Sequence, residues 1–288
     1  MKKIIAGILI SVTLILSVCL IVNSCKNKKK DMALSINCVN NYCVGNNERR
    51  IKQVLYFTRD NIYNTTNLVS SISIIGDDDS TLNLKLNGIK KTGYMHTYLK
   101  NKYYSYIYDL TIPKIEGDLV FNNAKIEITS EDNTLTLPIG EYQIKYDKDF
   151  DNTKTISVNS LSGLCVYDPY QTLGSINLKL ENKGFNNITI NKMNMGLNVN
   201  LVKEESDKVI YNSDDININE TIIGYMENEL NLSLSYKKKL FLNESFIEIE
   251  YSDITGDYKQ IIDTYYFYDN GYKIPDDSDL INTIEFIV

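Results

Sequence analysis

Thr81-Leu-Asn-Leu-Lys-Leu-Asn87 places three leucines at every second position with polar side chains between them. A helix would scatter these leucines around its circumference, whereas a strand sets all three on one face. Ser175-Ile-Asn-Leu-Lys-Leu-Glu181 repeats nearly the same text in the second half of the chain. Outward from the first stretch, Ala124, Ile126 and Ile128 alternate with Lys125 and Glu127; Leu135, Leu137 and Ile139 follow, then Tyr142, Ile144 and Tyr146. Outward from the second lie Ile188 and Ile190, then Leu197, Val199 and Leu201, Ile216 and Ile218, Leu230, Leu232 and Leu234, and Ile247, Ile249 and Tyr251. Side chains that avoid water at every other position mark strands with one dry and one wet face. Evenly spaced strands with few helical stretches between them predict an all-β sandwich in each half.

The charged, weakly apolar stretch Asp147-Lys-Asp-Phe-Asp-Asn-Thr-Lys154 is the expected boundary. It separates a first domain over 51–150 from a second over 151–288, and the Asn- and Lys-rich residues 26–50 read as a polar tether. The 288 residues suit about two domains. Hydrophobic residues make up 43% and charged ones 23%, so each half has enough apolar side chain for a core. The net charge of −7 repels phosphate backbones and argues against nucleic acid as a partner. The 22 tyrosines, the absence of Trp and the mere three arginines follow AT-rich codons and point to a low-GC bacterium.

The chain opens on Met1-Lys2-Lys3, runs for 19 uncharged residues from Ile4 to Val22, and then reaches Asn23-Ser24-Cys25 and a run of lysines. A helix of that length nearly matches a hydrocarbon core of about 30 Å. Val22-Asn23-Ser24-Cys25 resembles the bacterial lipobox, which implies lipidation of Cys25 as the mature N-terminus. Asn23 departs from the small residue usual there. Two alternatives stand beside it: an uncleaved outside anchor, and a cytoplasm-facing anchor favoured by the lysines that follow the segment. Either way the expected partner is membrane lipid at the N-terminus.

Cys38-Val-Asn-Asn-Tyr-Cys43 is a short loop that a disulfide would clip, with free thiols or a metal as the other readings. A metal lacks ligands, since His96 is the single histidine. Cys165, among Leu161, Leu164 and Val166, reads as a buried hydrophobe.

Ser175-Ile-Asn-Leu-Lys-Leu-Glu-Asn-Lys-Gly184 and Ile247-Glu-Ile-Glu-Tyr-Ser-Asp-Ile-Thr-Gly256 resemble the Ig-like modules of Gram-positive surface proteins, over roughly residues 170–270. The resemblance implies a binding or spacer fold and brings no catalytic residues. The full expectation is two tandem Ig-like β-sandwich domains behind an N-terminal hydrophobic signal or anchor helix.

Motifs for chemistry are missing. The chain has no phosphate-binding glycine loop, no His-Glu-x-x-His and no Gly-x-Ser-x-Gly, and a triad would have to use His96. No cofactor is expected. Asp77-Asp78-Asp79, Asp214-Asp215 and Asp276-Asp277-Ser278-Asp279 read as solvated turns, with calcium as the alternative. The aromatic run Tyr94, Tyr98, Tyr103, Tyr104, Tyr106 and Tyr108 is the most suggestive feature. Tyr94, Tyr98, Tyr104, Tyr106 and Tyr108 are candidates for a stacking platform; the competing reading is rings packed across strands. The expected function is a non-enzymatic, membrane-anchored extracellular binding, adhesion or scaffold protein, with a cell-wall polymer or another surface protein as partner. A carbohydrate-active hydrolase with paired carboxylates is the alternative.

Overall fold

The computed structural model describes residues 30–150, 155–166, 172–197, 199–202, 204–205, 208–209, 216–237, 241–262 and 278–286. The hydrophobic leader and Cys25 lie outside these residues. Among the described residues every regular element is a strand, apart from three single 3-10 turns, so the fold is all-β. The first half carries β1 (Asp31–Ile36), β2 (Cys38–Val44), β3 (Arg49–Phe57), β4 (Val69–Ile75), β5 (Thr81–Tyr98), β6 (Asn101–Ile112), β7 (Leu119–Ser130) and β8 (Asn133–Tyr146). The second carries β9 (Ile156–Val166), β10 (Thr172–Asn182), β11 (Ile188–Asn194), β12 (Val199–Val202), the two-residue pair β13 (Glu204–Glu205) and β14 (Lys208–Val209), β15 (Ile216–Ile222) and β16 (Glu227–Tyr236). It continues with β17 (Phe241–Glu244), β18 (Ile247–Asp253), β19 (Gly256–Ile262) and β20 (Ile281–Phe286).

One ten-stranded sheet runs β17-β2-β8-β7-β4-β5-β6-β3-β1-β20. It curls because two segments turn corners. The first four residues of β5 pair with β4, while the rest of the strand pairs with β6. The second corner is Asn37, which joins β1 on one flank of the sheet to β2 on the other. Both its backbone groups are used there: its N–H donates to Leu280 O (2.9 Å) and its carbonyl accepts from Phe241 N (3.2 Å). Inside the curl the alternating residues meet as read, with Leu82, Leu84, Ile126, Ile128, Leu135, Leu137 and Ile139 in one core.

Two four-stranded sheets, β12-β16-β10-β9 and β15-β11-β18-β19, face each other over a second core. Ile176, Leu178 and Leu180 line it from one sheet and Ile188, Ile190, Ile247 and Ile249 from the other. The alternation located the core positions of β7, β8, β10 and β16, but not those of β1 to β4, such as Leu34, Val39, Leu55 and Ile72.

Three expectations are corrected. Residues 26–50 do not form a tether from residue 31 onward: β1 and β2 are buried strands of the large sheet. Nor is 151–288 a self-contained sandwich, because β17 pairs in parallel with β2 and β20 pairs antiparallel with β1. Finally, Cys38 and Cys43 form no disulfide. Five residues apart on one strand, they sit on opposite faces roughly 16 Å apart, far beyond disulfide reach. Cys38 packs with Tyr103 and Phe241, and burial pushes its thiol up to about 12. Cys43 packs with Phe246 and Ile261.

β2 joins the two halves because its faces serve different cores. Tyr42 and Val44 point into the curled sheet, and Val39 points into the second core. Between them Asn41 donates from Nδ2 to Met195 O (3.1 Å), Leu197 O (3.2 Å) and Ser245 Oγ (3.2 Å), and its Oδ1 accepts from Leu197 N (3.2 Å). Gly196 suits this turn because its φ of +83 is a backbone conformation that residues with a side chain rarely adopt. Arg49 seals the other flank of β2, bonding Cys43 O (2.5 Å) and pairing with Glu244 (2.7 Å).

Candidate functional site

The feature that burial does not explain lies at the far end of β11 from this junction. Seven strand residues, about 20 Å, separate the two ends. Three connections converge there: residues 183–187 between β10 and β11, 223–226 between β15 and β16, and 254–255 between β18 and β19. The registers Ile188↔Ile222 and Thr189↔Ser252 place them side by side.

These loops carry Phe185, Ile223, Tyr225, Met226 and Ile254, five of the twelve exposed large apolar side chains among the described residues. Phe185 and Ile254 are 82% and 85% exposed, and the Phe185 and Tyr225 rings meet edge to face at 6.3 Å. Such a concentration on three adjacent loops calls for an explanation that scattered single residues would not need.

The tips are held rigidly from below. Asn182, wholly buried at the end of β10, donates from Nδ2 to Asn186 O (2.7 Å) and Ile222 O (3.2 Å). Its Oδ1 accepts from Gly184 N (2.9 Å), and its backbone carbonyl accepts from Tyr225 N (2.9 Å). Gly224 lets the second loop lie against the first: a Cβ there would stand 2.1 Å from Phe185 O. Tyr225 adopts a left-handed φ of 60°, a conformation retained because these bonds fix it. On the third loop Asp253 accepts from Thr255 N (2.7 Å) and Thr255 Oγ1 (2.5 Å). Those bonds, with one from the Asn186 side chain, hold its carboxyl below the usual range. Glu181, Glu227, Asp253 and Asp257 stand at the bases of the loops, against Lys183. The surface is therefore an apolar tip with an acidic rim.

The tyrosine platform is instead core. Tyr106 and Tyr108 point into the curled sheet. Tyr106 packs edge to face on Phe57 at 5.6 Å and donates to Asp60, while Tyr108 donates to Tyr63 O (2.7 Å). Burial, and for Tyr106 also its bond to the Asp60 carboxylate, pushes both phenols up. Tyr104 is half-buried beneath Lys91 Nζ at 4.4 Å, Tyr98 packs against the Tyr56–Tyr103 cluster, and only Tyr94 is exposed. The structure does not assemble these five into one face for a ligand.

Asp77-Asp78-Asp79 forms the turn from β4 to β5, where Asp78 caps Ser80 N (3.2 Å). Asp214, Asp215 and Asp276-Asp277 lie outside the described residues. His96 packs against Tyr56 with ring centroids 5.7 Å apart. Among the described residues the carboxyls with displaced pKa values, Asp60, Asp78, Glu248 and Asp253, are all held low by hydrogen bonds or lysines. Asp60 and Glu248 are lowered chiefly by lysines, Asp78 and Asp253 by hydroxyl and backbone donors.

The loop residues were missed because periodicity looks only for strands. One signal was present. Phe185 sits inside Asn182-Lys-Gly-Phe-Asn-Asn187 and Ile254 inside Asp253-Ile-Thr-Gly256, apolar residues within turn chemistry that offers no dry face.

No family model and no curated protein matches the chain. Among solved structures, one described as "BspA_C_mut" is 9% identical, with 81% of this chain and 98% of that chain covered, at a TM-score of 0.24. The "Streptococcus agalactiae AgI/II polypeptide BspA C terminal domain (WT)" is also 9% identical, covering 80% and 100%, at 0.22. TM-scores this low do not establish a common fold.

Proposed function

We propose that this chain is a non-enzymatic extracellular binding or adhesion module that presents the Phe185–Tyr225 loop tip to a protein partner. The observation that carries the reading is the grouping of five exposed apolar side chains on loops fixed by a fully buried Asn182. Rigid aromatic anchors on preorganised loops lose little entropy on binding, which suits a docking surface. The acidic rim favours a partner with basic groups around an apolar pocket. The neighbour order β9-β10-β16 opposite β11-β18-β19 supports an Ig-like reading of this half, with loops 183–187 and 254–255 at the end such sandwiches use for recognition.

The test is interferometry against a panel of purified cell-surface and matrix proteins. Partners of the wild type should lose at least thirtyfold in affinity to Phe185→Ser/Tyr225→Ser while the melting temperature stays unchanged. Equal binding by the double variant, or no partner in the panel, ends the proposal.

Export and a lipid at Cys25 belong to the same proposal and rest on the lipobox-like stretch. Palmitate labelling is expected in the wild type and lost in Cys25→Ala, with the protein shaved from intact cells by protease. Shaving only after the cells are lysed would reverse the topology.

A further inference from the structure

The outer face of sheet β12-β16-β10-β9 departs from what a solvated sheet face carries. Its central rows are neutral and, apart from Leu164 at the edge, short: Leu164, Ser175 and Ser233 lie across the three neighbouring strands in one row, and Ser162, Asn177 and Asn231 in the next. Charge returns only one row further, at Lys179 and Glu229. The short side chains leave a groove of about 410 Å³, within the range of small-molecule sites.

We propose that this groove binds a neutral oligosaccharide. Its lining offers hydroxyls and amides about 4.8 Å apart across strands and about 6.8 Å apart along them, a grid suited to a polyhydroxylated chain. Asn177 Nδ2 bonds Asn231 Oδ1 (2.7 Å) and Glu229, which fixes both amides and leaves the Asn177 carbonyl oxygen and the Asn231 amide nitrogen for a ligand. Leu164, 67% exposed at the groove's edge, offers an apolar contact for the C–H face of a sugar ring. Among the described residues the lining carries no charged side chain, and the Glu229 carboxylate on Asn177 Nδ2 at its border disfavours phosphate- or uronate-bearing chains.

Affinity electrophoresis through gels containing dextran, laminarin or glucomannan, with chitohexaose as a soluble competitor, tests the site. Retardation is expected in at least one gel. Ser162→Arg, an exposed position that fills the groove, and Asn177→Ala/Asn231→Ala should each weaken it at least tenfold with unchanged melting temperatures. Phe185→Ser/Tyr225→Ser should leave it intact, which separates this site from the loop tip. Unretarded migration in every gel, or full retardation of both groove variants, overturns the proposal. If one variant misfolds, the other decides.

Discussion

Glu248→Ala is expected to destabilise the protein by about 3 kcal/mol. The Glu248 side chain, 4% exposed, accepts from Lys145 of β8, from Lys259 of β19 (2.7 Å) and from Asn194 Nδ2 (3.1 Å). Its removal leaves the Lys145 ammonium, 21% exposed, without an anion in the seam between the two halves. Breaking a buried pair from one side costs about 3–5 kcal/mol, and the partial exposure of Lys145 sets the lower end. Replacing both partners, as Glu248→Leu/Lys145→Met, should cost less than Glu248→Ala, because Lys259 is half exposed and rehydrates. Urea melts of the three proteins decide the matter; a double variant worse than the single one refutes the account.

The same pair predicts an acid-labile seam. Burial alone would raise the Glu248 carboxyl, but its bonds to Lys145 and Lys259 outweigh burial and hold it below 4.5. The unfolded chain therefore takes up this proton more readily than the folded one. The contribution is complete above about pH 4.5 and disappears as pH falls through the lowered folded value. Glu248→Gln should flatten that part of the stability curve. Lys259, raised by Glu248 against the opposing effect of burial, acts at the other extreme: its contribution is complete below 10.5 and lost as pH rises through its folded value.

Asn182→Ala should cost about 2–3 kcal/mol, since it deprives Gly184 N, Asn186 O and Ile222 O of partners around a buried site. The damage should be local as well as global. Hydrogen exchange at Gly184 and Gly224 should quicken by more than the change in global stability explains, because the bonds that order the two loops have gone. Exchange that merely follows global stability would mean the loops are ordered without Asn182. The proposed partner affinity should drop with loop order even though no residue of the tip has changed.

How much was legible follows from these residues. Leu82 and Leu84 lie on the dry face because alternation encodes it locally. Asn40 and Asn41 could not be read that way. They look like tether residues, yet both are 1% exposed, and the groups that satisfy Asn41 lie 154 to 204 residues away. The tyrosine run misled for the opposite reason, since periodicity assigned Tyr104, Tyr106 and Tyr108 to one face but not to the inner one. Cys38 and Cys43 looked like a clip because sequence spacing hides whether five residues are coiled or extended.

The all-β class, the core face of the clearly alternating strands and the lack of any motif for catalysis were written in the chain, since each depends on chemistry within a few residues. Long-range strand pairing is what brings β17 and β20 back to the first sheet, sets β2 between two cores and carries the apolar residues of three loops to one tip. Strand partners are chosen by burial summed over the whole chain, and no local stretch of sequence contains that sum.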